Sequence, residues 1–121
     1  MDRFNEKQKV LKQLYVPDTA VNVLLAPQRK LKALVSEIRV ANLSGSAVNV
    51  RLFVSTTNTT FTNANAIVYD KSLAANDVLI YQFDIPIGVE YPGGAGIQVN
   101  TANVVTTTWF GCEAEGGSNG V

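Results

Sequence analysis

Residues 36–55 read SEIRVANLSGSAVNVRLFVS, and the alternation in this stretch decides the fold class. Before the turn, Leu34, Ile38 and Val40 share one face while Glu37 and Arg39 take the other, the period-two pattern of a half-buried strand. After it, Val48, Val50, Leu52 and Val54 point inward, and Asn49 and Arg51 point outward. Ser44, Gly45 and Ser46 form a hairpin-type turn, which predicts that the two strands pair antiparallel. Phe53 falls on the outward face of the second strand.

The same reading extends along the chain. Further β-segments are predicted at residues 13–16, 20–26, 67–73, 78–85, 96–100 and 104–113. In the fourth of these, Leu79, Tyr81, Phe83 and Ile85 share the inner face, and Pro86 and Gly88 interrupt the pattern before residues 89–91. A polar Thr/Asn stretch, residues 56–65, is longer than an ordinary connection. About eight short strands with no long amphipathic helix between them predict an all-β antiparallel sandwich, a jelly roll or related Greek key. At residues 1–14, Phe4, Lys7, Leu11 and Leu14 recur at helix-like spacing, so this segment is an N-terminal arm or short helix. The sandwich domain then spans residues 15–114, and residues 115–121, rich in glycine, form a flexible tail.

Composition narrows the chemistry. Hydrophobic residues at 46% against charged residues at 17% suit a folded domain, and 121 residues suit only one. No apolar run approaches the roughly 20 residues of a membrane span, and the first residues lack the apolar core of a secretory signal. Ten basic side chains balance ten acidic ones, which argues against a dedicated nucleic-acid binder. There is no histidine and one cysteine, Cys112, so Ser-His and Cys-His devices and cysteine-rich zinc sites are excluded. Glu37, Asp70, Asp77, Asp84 and Glu90 have no spacing that demands a convergent pair. Gly93, Gly94 and Gly96 precede a strand and lack a following Lys-Ser/Thr pair, so they are not a phosphate loop. The expectation is no enzyme, cofactor or metal, and Cys112 as a small buried hydrophobe.

What remains is contact. Residues 1–39 carry eight basic side chains against four acidic ones, and the remainder two against six, an asymmetry that favours complementary association. Arg3, Phe4, Lys7, Lys9 and Lys12 of the N-terminal segment, with Arg29 and Lys30, are candidate partner contacts. Phe53 and Val35 face away from the core, as does one of Trp109 and Phe110. Outward aromatics on a small sandwich point to a subunit or scaffold contact, which adds Phe53, Phe61 and Trp109 to the candidates.

Residues 36–55, then NANAIVYDKSLAANDVL at 63–79 and GIQVNTANVVT at 96–106, resemble the strand–turn–strand pattern of small bacteriophage virion structural proteins of the capsid decoration, or cement, type. The resemblance covers roughly residues 32–108. It implies a β-sandwich, a homo-oligomer (dimer or trimer), attachment to the major capsid protein or another virion protein, and residence in the virion after synthesis in the host cytoplasm. It carries over no catalytic residue. The alternative is a tail-associated adaptor or host-surface carbohydrate-binding module, with residues 56–65 and Trp109 facing the ligand.

Overall fold

A computed structural model describes residues 8–115. Its strands are β1 (Lys9–Tyr15), β2 (Asn22–Leu25), β3 (Leu31–Asn42), β4 (Val48–Ser55), β5 (Ala66–Leu73), β6 (Val78–Glu90), β7 (Gly94–Val99) and β8 (Val105–Glu115), with one 3-10 turn at Asn63–Asn65. They form two four-stranded sheets, ordered β1-β8-β3-β6 and β2-β7-β4-β5, and every pairing is antiparallel. Only the β4–β5 connection stays within a sheet; the others cross between sheets. This order is the jelly roll, two Greek keys wound into a sandwich.

The core lies between the sheets. Val35, Ile38, Val40, Val105 and Trp109 from the first sheet meet Val50, Leu52, Ile97 and Val99 from the second, all buried. Trp109 Nε1 donates to Thr107 Oγ1 at 3.0 Å, and the Thr107 hydroxyl donates to the Arg39 carbonyl at 3.0 Å. The polar groups that the core takes in are therefore satisfied.

Five expectations are corrected. Residues 9–14 are strand, not arm or helix. β1 pairs with β8 and shifts register between Val10 and Lys12, so the extra residue Leu11 and then Leu14 both pack against the core. A bulged strand thus repeats its apolar residues at a spacing of three, which imitates a helix. The turn at Ser44, Gly45 and Ser46 joins two sheets and does not close a hairpin. Buried Asn42 anchors this corner: its side-chain NH2 reaches the carbonyls of Ser46 (2.8 Å), Leu73 (3.1 Å) and Ala74 (3.1 Å), and its Oδ1 accepts from Ser44 N–H at 3.0 Å.

Val35 is buried in the core and Leu34 is turned half outward, the reverse of the expected alternation. The β3 register shifts between Val35 and Glu37 against both neighbours, so Ser36 is a bulge that inverts the side-chain parity. Lastly, β6 runs unbroken through Pro86 and Gly88, which an edge strand tolerates. Val35 pairs with Ile87 and Glu37 with Gln82, so residues 83–86 bulge from the sheet opposite Ser36. Ile85 is 84% exposed there, although the alternation placed it inside.

Candidate functional site

The outer face of the second sheet collects the outward side chains of β4, β5 and β7. Pairing sets Arg51 beside Gln98 and Phe53 beside Gly96. Phe53 does point away from the core cluster, yet it is only 2% exposed. Its cover comes from its own chain, because Phe61 stacks on it with ring centroids 5.7 Å apart. Phe61 and Thr59 lie against β7, where a Cβ at Gly96 would meet Phe61 Cε2 at 2.7 Å and one at Gly94 would meet Thr59 Cγ2 at 2.8 Å. The glycines of β7 therefore make the flat bed on which residues 56–65 rest.

That segment is held by its own side chains. Ser55 Oγ accepts from Thr57 N–H (3.2 Å) and Asn58 N–H (3.3 Å), and Asn58 Oδ1 accepts from Thr60 N–H (3.0 Å). Thr62 Oγ1 accepts from Ala64 N–H while Asn65 Oδ1 accepts from Thr62 N–H, a reciprocal cap. Its Thr/Asn content is thus turn chemistry. Phe61→Ala is expected to lose about 1–3 kcal/mol and to raise amide hydrogen exchange across residues 56–65, since Phe53 then faces water. Unchanged exchange there would contradict the packing role.

Beside this aromatic pair lies an open cleft of about 420 Å3 lined by Thr19, Asn49, Arg51, Asp70, Gln98, Val99 and Asn100. The β5 register explains how it is built. Val50 pairs with Lys71 and Leu52 with Val68, so Tyr69 and Asp70 together oppose the single residue Arg51, and Asp70 takes φ 51°. The extra residue allows both side chains to engage one guanidinium. Tyr69 offers its ring at 4.2 Å from centroid to Arg51 Cζ, and Asp70 accepts from Nε (2.6 Å) and Nη2 (3.2 Å). Arg51 Nη1 donates to Gln98 Oε1 at 3.4 Å, and Gln98 Nε2 donates to the Thr19 carbonyl at 3.1 Å.

The hydrogen bonds from Arg51 hold the Asp70 carboxyl below its usual range, against burial, and the Arg51 charge adds to them. Away from this site, a hydrogen bond from Gln82 and then one from Arg39 lower Glu37. A folded value below the unfolded one means that the Asp70 contribution is present above the unfolded pKa and is lost as pH falls through the folded one. An NMR titration is expected to place the Asp70 midpoint below that of the unfolded chain, and Arg51→Ala to bring it back up. An Asp70 midpoint indifferent to that substitution would contradict the assignment.

The candidate contacts do not converge. Arg3, Phe4 and Lys7 lie outside the described residues. Lys9 and Lys12 are exposed on β1, at one edge of the first sheet, and Lys9 pairs with Glu113 at 3.4 Å. Arg29 and Lys30 stand in the turn before β3, with Arg29 over the Tyr91 ring at 5.4 Å. Phe53 and Phe61 are spent on each other. Trp109 is wholly buried and offers no surface to a partner or ligand, and Phe110 is the one turned to the outer face, half-buried under Arg39. Cys112 is a free thiol on that outer face, half-buried where burial was expected. Since β1 lies beside β8, the oppositely charged halves of the sequence interleave in space.

Alternation had placed Asn49 and Arg51 outward; it had no means of finding Tyr69, Asp70, Gln98 and Asn100 as their neighbours. The exposed apolar surface that sequence reasoning missed is the β6 edge of the first sheet, with Val78, Ile80 and Ile85 exposed. Among the described residues no group of three or more potential metal ligands comes together.

The described residues thus form an eight-stranded jelly roll with a polar cleft on a sheet face and an apolar edge. No protein-family model and no curated protein matches it. Among solved structures it is similar to a chain in the crystal structure of the T13 infectious bursal disease virus particle, with TM-score 0.48 and 7% identity over 93% of this chain and 32% of that one. A chain of the infectious bursal disease virus Gx strain gives TM-score 0.39 and 12% identity over 89% of this chain and 36% of that one. The Anabaena sensory rhodopsin transducer gives TM-score 0.36 and 17% identity over 81% of this chain and 91% of that one. The chain spans about a third of the length of the two viral chains. A jelly roll hosts unrelated functions, so function rests on this chain's own residues.

Proposed function

We propose that the chain is a bacteriophage virion structural protein, a capsid decoration protein that acts without catalysis by bridging subunits of the shell. The observation that carries this reading is the β6 edge. Residues 78–83, VLIYQF, form an uncharged run of strong strand formers on an edge strand. Edge strands of free monomers are normally blunted by charge, shortness or irregularity. β1 carries Lys9 and Lys12, β2 is four residues long, and β5 carries Asp70 and Lys71 at its bulge. β6 has its bulge only at residues 83–86, where Asp84 and Ile85 are both exposed, so the charge at this bulge lies beyond the uncharged run at 78–83. Left uncovered, such an edge invites aggregation; covered by another copy or by a major capsid subunit, it becomes an interface.

The resemblance of residues 36–55, 63–79 and 96–106 to decoration proteins agrees with this reading, which makes the chain a dimer or trimer resident in the virion. Its test is stoichiometry. A quantitative gel of intact particles is expected to show hundreds of copies, and particles stripped of the protein to lose resistance to heat or chelation. A handful of copies per particle would transfer the chain to the tail, and unaltered particle stability would remove the cement role.

A further inference from the structure

We infer that the cleft on the outer face of the second sheet is a binding site for a neutral saccharide. Four properties of the cleft lead there. Its volume, about 420 Å3, lies within the range of small-molecule sites. Its lining is polar apart from Val99, which disfavours an apolar ligand. Its one cation, Arg51, is already paired through two nitrogens with Asp70, so the cleft has no surplus charge to draw an anion or a metal ion. Finally, the groups still free to bind are mixed donors and acceptors, of which Arg51 and Asn100 are held in place by the fold.

The last property is the specific one. The Asn100 Oδ1 is occupied by the Asn49 backbone N–H at 2.9 Å, which fixes the Asn100 side chain and leaves its NH2 without a partner among the described residues. The Asn49 carboxamide has no hydrogen bond to any described residue in the fold, although its backbone is tied to Asn100. Arg51 is clamped by Tyr69, Asp70 and Gln98, so its remaining N–H groups are presented without loss of side-chain freedom on binding. A sugar hydroxyl both donates and accepts, and neighbouring hydroxyls match the paired edges of a carboxamide or an Arg–Asp fork. Tyr69, half exposed with its ring against Arg51, does not line the cleft itself but offers aromatic surface next to it for the C–H face of a pyranose. The site is open, so millimolar binding is expected for a disaccharide, strengthened by avidity where many copies share a surface.

The inference is independent of whether the chain sits on head or tail. The test is a two-dimensional NMR titration of the full chain with maltose, cellobiose and lactose as neutral probes and with sulfate as the anionic probe. Saturable shifts confined to Asn49, Arg51, Tyr69, Asp70, Gln98 and Asn100 with at least one disaccharide, and none with sulfate, support the site. Asn49→Ala breaks no hydrogen bond of the fold and is expected to weaken that binding about tenfold while other resonances stay in place. Absence of shifts with all three sugars, equal response to sulfate, or undiminished binding by Asn49→Ala each overturns it. Copy number in particles is unaffected by these outcomes, so failure here is distinguishable from failure of the decoration role.

Discussion

Trp109→Ala is expected to lower the free energy of unfolding by about 3–5 kcal/mol. The indole is wholly buried, and Trp109 sits on a central strand of its sheet, paired with Ile38 on one side and Lys12 on the other. Truncation removes the largest side chain of the core and leaves a cavity between two sheets, which close poorly because their strands are held by ladders on both sides. It also strips Thr107 Oγ1 of its donor. Against a total stability of about 5–15 kcal/mol for a domain of this kind, the loss leaves a marginal protein. Trp109→Phe separates the two contributions: it keeps most of the volume, abolishes the N–H, and is expected to cost about 1–3 kcal/mol. Urea unfolding followed by circular dichroism is the measurement, since the chain's one tryptophan is the residue removed. Protein concentration must be held fixed if the chain associates. A loss below about 1 kcal/mol for the alanine variant would show that the indole does not organise the core.

The strands that could be read in advance were those whose side chains keep strict parity. In β4, Val48, Val50 and Leu52 alternate with Asn49 and Arg51, and all five point as the alternation requires. Each misreading has a local physical cause. Ser36 bulges, so Val35 and Leu34 exchange faces; Leu11 bulges, so β1 shows a helical spacing; residues 83–86 bulge, so Ile85 leaves the inner face. A bulge is a property of two strands, and a single chain segment carries no mark of its partner. The corner at Ser44 is similar, because the chemistry of a tight turn is the same whether the chain returns to its own sheet or crosses to the other. The cleft was half visible for the same reason. Asn49 and Arg51 face out by alternation, but their contact with Gln98 and Asn100 follows from β7 lying next to β4, a neighbourhood set by the Greek-key path. Phe53 was placed on the correct face, and its cover by Phe61 depends on glycines of β7, three strands further along the chain.

Gly111→Ala is expected to cost about 3 kcal/mol or more, the upper end for overpacking, although it adds one methyl group. A Cβ at this position would strike the Leu34 carbonyl oxygen, come within 2.8 Å of the Leu34 carbonyl carbon and within 3.1 Å of Leu11 Cδ1. Two of these atoms are backbone and have no rotamer through which to yield. Gly111 lies on β8 between Val35 and Lys9, beside the β3 bulge at Ser36 and the β1 bulge at Leu11. The methyl group therefore pushes on both irregularities at once. Relief requires β3 to retreat from β8, and that movement draws on the bulge which keeps Val35 in the core and Leu34 out of it. Gly45→Ala is the matched control: nothing lies within 4 Å of its Cβ position, and the substitution is expected to stay within about 0.5 kcal/mol. Paired urea titrations of the two variants decide the matter. If Gly111→Ala proves as mild as Gly45→Ala, the close approach of β3 to β8 is not what holds the bulge, and the inverted parity of Val35 must have its origin elsewhere in the sheet.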